Sequence, residues 1–318
     1  MAERQTEAVH SEAAGLDTRA PHAALRLLAE GQIEAAKSVL GAIDSIAAAA
    51  DLVARQLLDG GRLIYTAAGS SALMALADAL ELPGTFGIPQ ERVVVAIAGG
   101  VAALSHLAGG PEDSEEQGAA EVVRLGLGEQ DCLIVVSASG STPYALGAIR
   151  EAKARSVPAI AFANNANTPL LDLATVPVVL ATPPEVIAGS TRMGAGTAQK
   201  IALNMLSTLA AIKLGHVHDG YMVNLRADNL KLRQRAARIV AAIAGCDEQR
   251  AAAALFDTEG AVKAAIILAA GAESPDAARQ LLEKSSQHLR PALEMLAGAD
   301  RPSHWKLKYA TRTVKQGE

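Results

Sequence analysis

The chain has 318 residues and a net charge of −5, from 29 basic and 34 acidic side chains; half of it is hydrophobic, with only one Trp, four Tyr and three Phe. That balance excludes a disordered chain and a general nucleic-acid binder, which needs a basic excess and aromatic stacking platforms. Alanine makes up roughly a fifth of the residues, well above average usage, so a core this poor in rings must bring backbones together through small side chains.

Cys132 and Cys246 are far apart and form no CxxC pattern, which argues against a disulfide framework and a cysteine-based metal site. No apolar run reaches the ~18 residues of a membrane span, and the N-terminal stretch lacks the apolar core of a signal peptide. The expectation is a soluble cytoplasmic protein that contacts neither membrane nor nucleic acid.

Residues 1–20 read as a polar arm. From Pro21 to about Leu58 apolar residues recur at helical spacing, which predicts two helices broken near Gly31 and running to Gly60-Gly61. Five short apolar runs follow: Arg62–Ala67, Arg92–Ala98, Asp131–Val136, Val157–Ala163 and Val176–Ala181. Each leads into a polar or glycine-rich loop, and most are separated by helical stretches such as Ala72–Leu82, Val101–Leu107 and Pro143–Ser156. Strands alternating with helices imply a parallel sheet covered on both faces. A long helix is expected from Met193 to a stop at Gly215, and only helical patterns from Asn224 to Leu296. The tail after Gly298 holds Trp305 among basic residues.

Ligands of open parallel sheets bind at the carboxyl ends of the strands. Two such ends here carry hydroxyl-rich loops that open helices: Gly69-Ser70-Ser71 and Ser139-Gly140-Ser141-Thr142. The free N–H groups and dipole of a helix start favour an anion such as phosphate, although Ser and Gly serve equally as ordinary caps and turns. Ser190-Thr191-Arg192 precedes the long helix and offers a further anion partner or a salt bridge. Glu81 and Glu112 each stand at the end of a helical stretch, and periodicity alone does not select them from the other acids. His106, His216 and His218 have no carboxylate or cysteine at metal-ligand spacing, so neither a metal nor a cofactor is expected.

Taken together, several stretches resemble the N-acetylmuramic acid 6-phosphate etherases, a branch of the sugar isomerase (SIS) fold. They include Gly61-Arg62-Leu63-Ile64-Tyr65, Asp78-Ala79-Leu80-Glu81, Pro83-Gly84-Thr85-Phe86-Gly87, Glu112-Asp113-Ser114, Ala138–Tyr144 and Gly189–Thr208. The resemblance runs from Thr6 to about Leu296. It places the family's two functional glutamates on Glu81, as the acid for lactate departure, and Glu112, as the base at C2. It implies a phosphorylated amino sugar as substrate, cleavage of its C3 lactyl ether, and a homodimer with each site completed at the subunit interface. The substrate-binding positions it suggests are Gly69, Ser70, Ser71, Ser139, Ser141, Thr142, Ser190, Thr191 and Arg192. Where the family carries basic residues, this chain has Leu73, Ser141 and Gly194. An isomerase of sugar phosphates and a non-catalytic sugar-phosphate sensor are the alternatives on the same fold.

The fold expected is therefore α/β: a three-layer SIS-type domain with a parallel five-stranded sheet, an N-terminal helical arm and an all-helical C-terminal domain. The corresponding boundaries are 1–45 for the arm, 46–215 for the sugar-phosphate domain, 216–297 for the helical domain and 298–318 for the basic tail.

Overall fold

The computed structural model describes residues 5–104 and 109–298. His106, part of the expected 101–107 helix and the basic tail with Trp305 lie outside the described residues. The chain divides into two compact units. The first holds residues up to Pro83 together with Ile88–Lys213, and the second holds Gly84–Gly87 with the chain from Leu214 onward.

In the first unit five strands, β1 (Leu63–Ala67), β2 (Val93–Ile97), β3 (Cys132–Ser137), β4 (Ala159–Ala163) and β5 (Val176–Val179), form one sheet. All pairings are parallel and the order is β2-β1-β3-β4-β5. The strands β1, β3 and β4 are buried throughout, as a sheet covered on both faces requires. Alternate residues Ile64, Leu133, Val135, Ala159 and Ala161 join Val122, Ala145 and Ile149 in one core. That core binds the sheet to helices α5 (Glu115–Arg124) and α6 (Pro143–Ala154). On the other side lie α1 (Pro21–Ser38), α2 (Ile43–Leu58), α3 (Gly69–Ala79) and the long α8 (Gly194–Lys213), which pack on one another. The remaining helices of this region are short: α4 (Leu82–Phe86) and α7 (Pro169–Leu173).

The scarcity of rings is met by close backbones. A Cβ on Gly118 of α5 would stand 2.0 Å from the carbonyl of Tyr144, and one on Gly147 of α6 would stand 1.9 Å from that of Glu115. These two glycines let α5 and α6 approach until backbone touches backbone. Gly31 acts similarly and corrects the expected helix break. It lies inside α1, where a Cβ would come within 2.9 Å of the Val186 side chain. The interruption falls instead at Val39–Ala42, a 3₁₀ turn between α1 and α2.

The second correction comes after β2, where a helix was expected from Val101 and the described residues form a 3₁₀ turn instead. A 3₁₀ turn covers Gly100–Leu104 and another Gly110–Asp113, and Ser114 then caps α5 by accepting the Gln117 N–H. The N-terminal arm is tied to the strand ends: Thr6 is buried and exchanges hydrogen bonds with the Asn165 side chain (3.3 and 2.9 Å).

The second unit opens with a small antiparallel pair, β6 (Val217–His218) and β7 (Tyr221–Met222), which no pattern announced. Helices α9 (Leu230–Ala244), α10 (Glu248–Asp257), α11 (Val262–Ala269), α12 (Pro275–Lys284) and α13 (Leu289–Gly298) follow. Asn229, Asp247 and Ser274 cap α9, α10 and α12 through their side chains. Their apolar faces enclose a separate core around Val240, Ala265, Ile266 and Ala292. Among the described residues no helix is long and apolar enough to cross a membrane.

Candidate functional site

The carboxyl end of β1 turns directly into α3. Gly69 begins that helix at φ +55°, and Ala68 before it supplies no side-chain cap. The first N–H groups of α3 are thus left for a ligand or a neighbour. Ser70 is half-buried and Ser71 buried in this first turn. The neighbour is Glu112, on the 3₁₀ turn after β2, whose Oε2 lies 3.3 Å from the position of a Cβ on Gly69. Partial burial, and then the nearby Asp113, push the Glu112 carboxyl above the usual glutamate range. A carboxylate with raised proton affinity beside an open helix start suits a general base near neutral pH.

The second hydroxyl loop, after β3, is organised by its own side chains. Ser137 shares a hydrogen bond with Thr142 (2.9 Å), and its hydroxyl accepts the Gly140 N–H (3.2 Å). Ser139 accepts from the Ser141 N–H (3.2 Å) and from the Ser141 hydroxyl (3.3 Å). Asn165 at the end of β4 braces the loop by donating to the Ala138 carbonyl (3.2 Å). Since β1 and β3 are adjacent and parallel, this cluster and the α3 start stand side by side at the carboxyl end of the sheet.

Glu81 is not brought to that place within one chain. It follows α3, is exposed, and donates its backbone N–H to the Asp78 carbonyl (3.2 Å). From Gly69 to Glu81 the helix advances about 18 Å at 1.5 Å per residue. The two glutamates therefore mark opposite ends of α3.

Ser190, Thr191 and Arg192 form the turn before α8, with Arg192 exposed and the Thr191 carbonyl accepting the Gly196 N–H (2.8 Å). The anion position at the start of α8 is already filled. Buried Glu185 accepts the N–H groups of Gly194 and Ala195, both at 2.9 Å. Sequence reasoning missed this cap because it reaches across a loop rather than from the residues adjoining the helix. It also missed the network beneath Glu81. Asp78, buried on α3, accepts from the Tyr65 hydroxyl (2.8 Å), Asn204 Nδ2 (2.7 Å) and the Ser207 hydroxyl (2.9 Å), while Lys200 donates to Asn204. Asn204 and Ser207 sit one turn apart on α8, and the signal was their shared face with Lys200.

The positions that depart from the family pattern also fall apart in space. Leu73 lies on the exposed side of α3 and Ser141 within the β3 loop. Gly194 starts α8, where a Cβ would stand 3.0 Å from Glu185 Oε2. Among the described residues no cluster of His, Cys, Asp or Glu is arranged to hold a metal ion.

Residues 32–164 match the SIS domain family. An N-acetylmuramic acid 6-phosphate etherase of Deinococcus radiodurans is 43% identical over 290 residues, 91% of this chain and 95% of the relative. One from Streptomyces avermitilis is 42% identical, over 91% of this chain and 93% of the relative. The chain belongs to the N-acetylmuramic acid 6-phosphate etherase family. Among solved structures, a phosphoheptose isomerase from Francisella tularensis is 20% identical with a TM-score of 0.47, covering 61% of this chain and all of that one. Membership of the etherase family extends over both compact units, since the similarity takes in about nine-tenths of the sequence.

Proposed function

We propose that this chain is a carbon–oxygen lyase that cleaves the C3 lactyl ether of N-acetylmuramic acid 6-phosphate. The products are N-acetylglucosamine 6-phosphate and D-lactate, as in the recycling of amino sugars from the cell wall. The observation that carries the reading is Glu112 poised over the open start of α3, beside the hydroxyl loop of β3.

In the open-chain aldehyde the carbonyl acidifies the C2 proton, and the Glu112 carboxylate takes it. The electron pair first rests on the carbonyl oxygen as an enolate, which backbone N–H groups at a helix start stabilise. It then forms the C2–C3 double bond as the C3–O bond breaks, and Glu81 gives its proton to the departing lactate oxygen. Water adds at C3 of the unsaturated aldehyde and a proton returns to C2. Gly69, Ser70, Ser71, Ser139, Ser141 and Thr142 hold hydroxyl and phosphate oxygens of the sugar, and Ser190, Thr191 and Arg192 add two hydroxyls and a positive charge from the turn before α8.

The etherase functions as a homodimer in the cytoplasm, free of membrane and nucleic acid, and each site takes residues from both subunits. The distance of about 18 Å between the ends of α3 supports this, because C2 and C3 of one sugar are bonded neighbours and cannot meet both glutamates of one chain. The units of function are an arm (1–45), a sugar-phosphate domain (46–215), a helical domain (216–297) and a basic tail (298–318).

Incubation with N-acetylmuramic acid 6-phosphate in deuterated water tests the reading. Lactate release with deuterium at C2 of the product is expected. Exchange on other hexosamine phosphates without release would indicate an isomerase, and binding without exchange a sensor.

A further inference from the structure

The N-terminal arm reaches the loops around the site. Thr6 is 2% exposed, although it lies on a turn of only three residues, Gln5–Glu7, well before α1. Each of its polar groups has a partner. Its N–H donates to Asn165 Oδ1 (3.3 Å), its hydroxyl accepts from Asn165 Nδ2 (2.9 Å), and its carbonyl accepts the Gly189 N–H (3.2 Å). These two partners belong to different segments. Asn165 Nδ2 also donates to the carbonyls of Ala138 (3.2 Å) and Ser139 (3.5 Å), in the hydroxyl loop after β3. Gly189, at φ +75°, opens the turn before α8, and its own carbonyl accepts the Thr191 N–H (2.9 Å).

We infer that Thr6 is a positioning residue, which ties the Ser139–Thr142 loop to the Ser190–Arg192 turn and so sets how the hydroxyls of one stand to the guanidinium of the other. The inference rests on the substrate-binding roles proposed above and adds the residue that fixes those two segments relative to one another. A side-chain amide has two N–H donors. One on Asn165 serves Thr6, and the other is shared between Ala138 and Ser139, so the Thr6 hydroxyl sets the orientation in which Asn165 reaches the loop. Without that hydroxyl a buried donor loses its acceptor, and the amide turns to find another. The Thr6 backbone meanwhile holds the turn. A sugar phosphate that draws donors from both segments is sensitive to a drift of about 1 Å in either. The alternative is an arm that merely covers the strand ends, and kinetics separate the two. A loosened cover leaves fewer folded molecules, so kcat falls at unchanged KM. A misplaced binding loop weakens ground state and transition state alike, so KM rises at unchanged kcat.

The closing experiment uses the full chain. Thr6→Val keeps the shape and removes the hydroxyl, and Thr6→Ser restores it. Thr18→Val is the control, since the Thr18 hydroxyl donates within the arm, to the Gly15 carbonyl (3.0 Å). Thr6→Val should raise KM for N-acetylmuramic acid 6-phosphate about tenfold with kcat within about twofold, while Thr6→Ser and Thr18→Val keep wild-type values. Calorimetric titration with N-acetylglucosamine 6-phosphate should show the same loss of affinity without turnover. Asn165→Ala severs the tie from the other side and should match it, and Thr6→Val should add nothing in that background. Amide exchange should quicken in Thr6→Val at Gly140 and Ser141 and also at Gly189, whose N–H ends on the Thr6 carbonyl. A lower kcat or melting midpoint at unchanged KM overturns the positioning role and leaves a cover. Quickened exchange in one segment alone, or additive effects of Thr6→Val and Asn165→Ala, overturns the tie between loop and turn. An equal loss in Thr6→Ser or Thr18→Val overturns the role of the hydroxyl. A wild type that binds N-acetylglucosamine 6-phosphate yet releases no lactate overturns the etherase reading, and the affinity ratio then decides the role of Thr6 by itself. A wild type that binds no sugar phosphate overturns both.

Discussion

The Glu112 carboxylate lies against the backbone of Gly69, 3.3 Å from where a Cβ would stand, and Gly69 holds φ at +55°. Both facts act against any side chain at 69. Gly69→Ala should cost about 1–2 kcal/mol for the left-handed backbone and also push Glu112 out of position. Gly60 separates the two effects, because its φ is +90° and nothing lies within 4 Å of its Cβ position. Both alanine variants should lose comparable stability in a urea titration, while only Gly69→Ala loses tenfold or more in kcat/KM. Equal activity for the two would refute the contact with Glu112 as a catalytic requirement.

The raised proton affinity of Glu112 has consequences for rate and for stability. A base must be ionised, so the acid limb of kcat/KM should lie above the ordinary glutamate value. Asp113→Asn removes the like charge that helps raise it and should move that limb to lower pH. For stability the sign is opposite to that of a paired carboxylate. The folded state favours protonated Glu112, and this contribution is present at low pH and lost as pH rises from the ordinary glutamate value through the raised one. Glu112→Gln should therefore be at least as stable as wild type at pH 7, with the difference vanishing near pH 4. A variant less stable at pH 7 than at pH 4, relative to wild type, would contradict this.

Most of the sheet was legible because each strand is a short apolar run that stops at glycine or hydroxyl residues. The stop at Gly215 was legible for the same local reason, since stops are set by adjoining residues. Gly31 misled because a glycine inside a helix reads as a break, whereas here its missing side chain admits Val186. Glu185 and the donors around Asp78 were hidden, since each joins residues distant in sequence and has no period to betray it. Glu81 and Glu112 were named only by the family resemblance. Their separation along α3 emerged from the fold.

The Asp78 network predicts a graded series. Asp78 accepts three side-chain hydrogen bonds while burial holds its carboxyl above the usual aspartate range, the donors opposing that rise. Tyr65→Phe removes one donor and should cost about 1–2 kcal/mol. Asp78→Ala strands Tyr65, Asn204 and Ser207 together, and should cost about 3 kcal/mol or more. Because Glu81 follows one turn later, Asp78→Ala should also depress kcat more than it raises KM, whereas Tyr65→Phe largely spares both. Denaturant titration and steady-state kinetics on the two variants check the order.

Glu185 and Gly194 form the last coupled pair. The carboxylate receives the N–H groups of Gly194 and Ala195 at the start of α8, where the helix dipole also favours negative charge. Glu185→Gln keeps an acceptor oxygen but loses the charge, and should cost about 0.5–1 kcal/mol; Glu185→Ala loses the cap and should cost about 1–2 kcal/mol. Replacing glycine by alanine within a helix ordinarily stabilises it by about 0.5–1 kcal/mol. At 194 the new Cβ would press within 3.0 Å of Glu185 Oε2 and 3.1 Å of the Ala35 methyl. Gly194→Ala should therefore fail to stabilise in the wild-type background and should stabilise only when Glu185 is also shortened to alanine. Gly194→Lys, the residue of the family pattern, meets the same crowding at its first carbon, so it should lower the thermal midpoint, whereas Ser141→Arg, in the half-buried β3 loop, should leave it unchanged. A thermal melt of the five single variants and the double variant decides it, and additive effects of Gly194→Ala and Glu185→Ala would show that the two residues do not constrain one another.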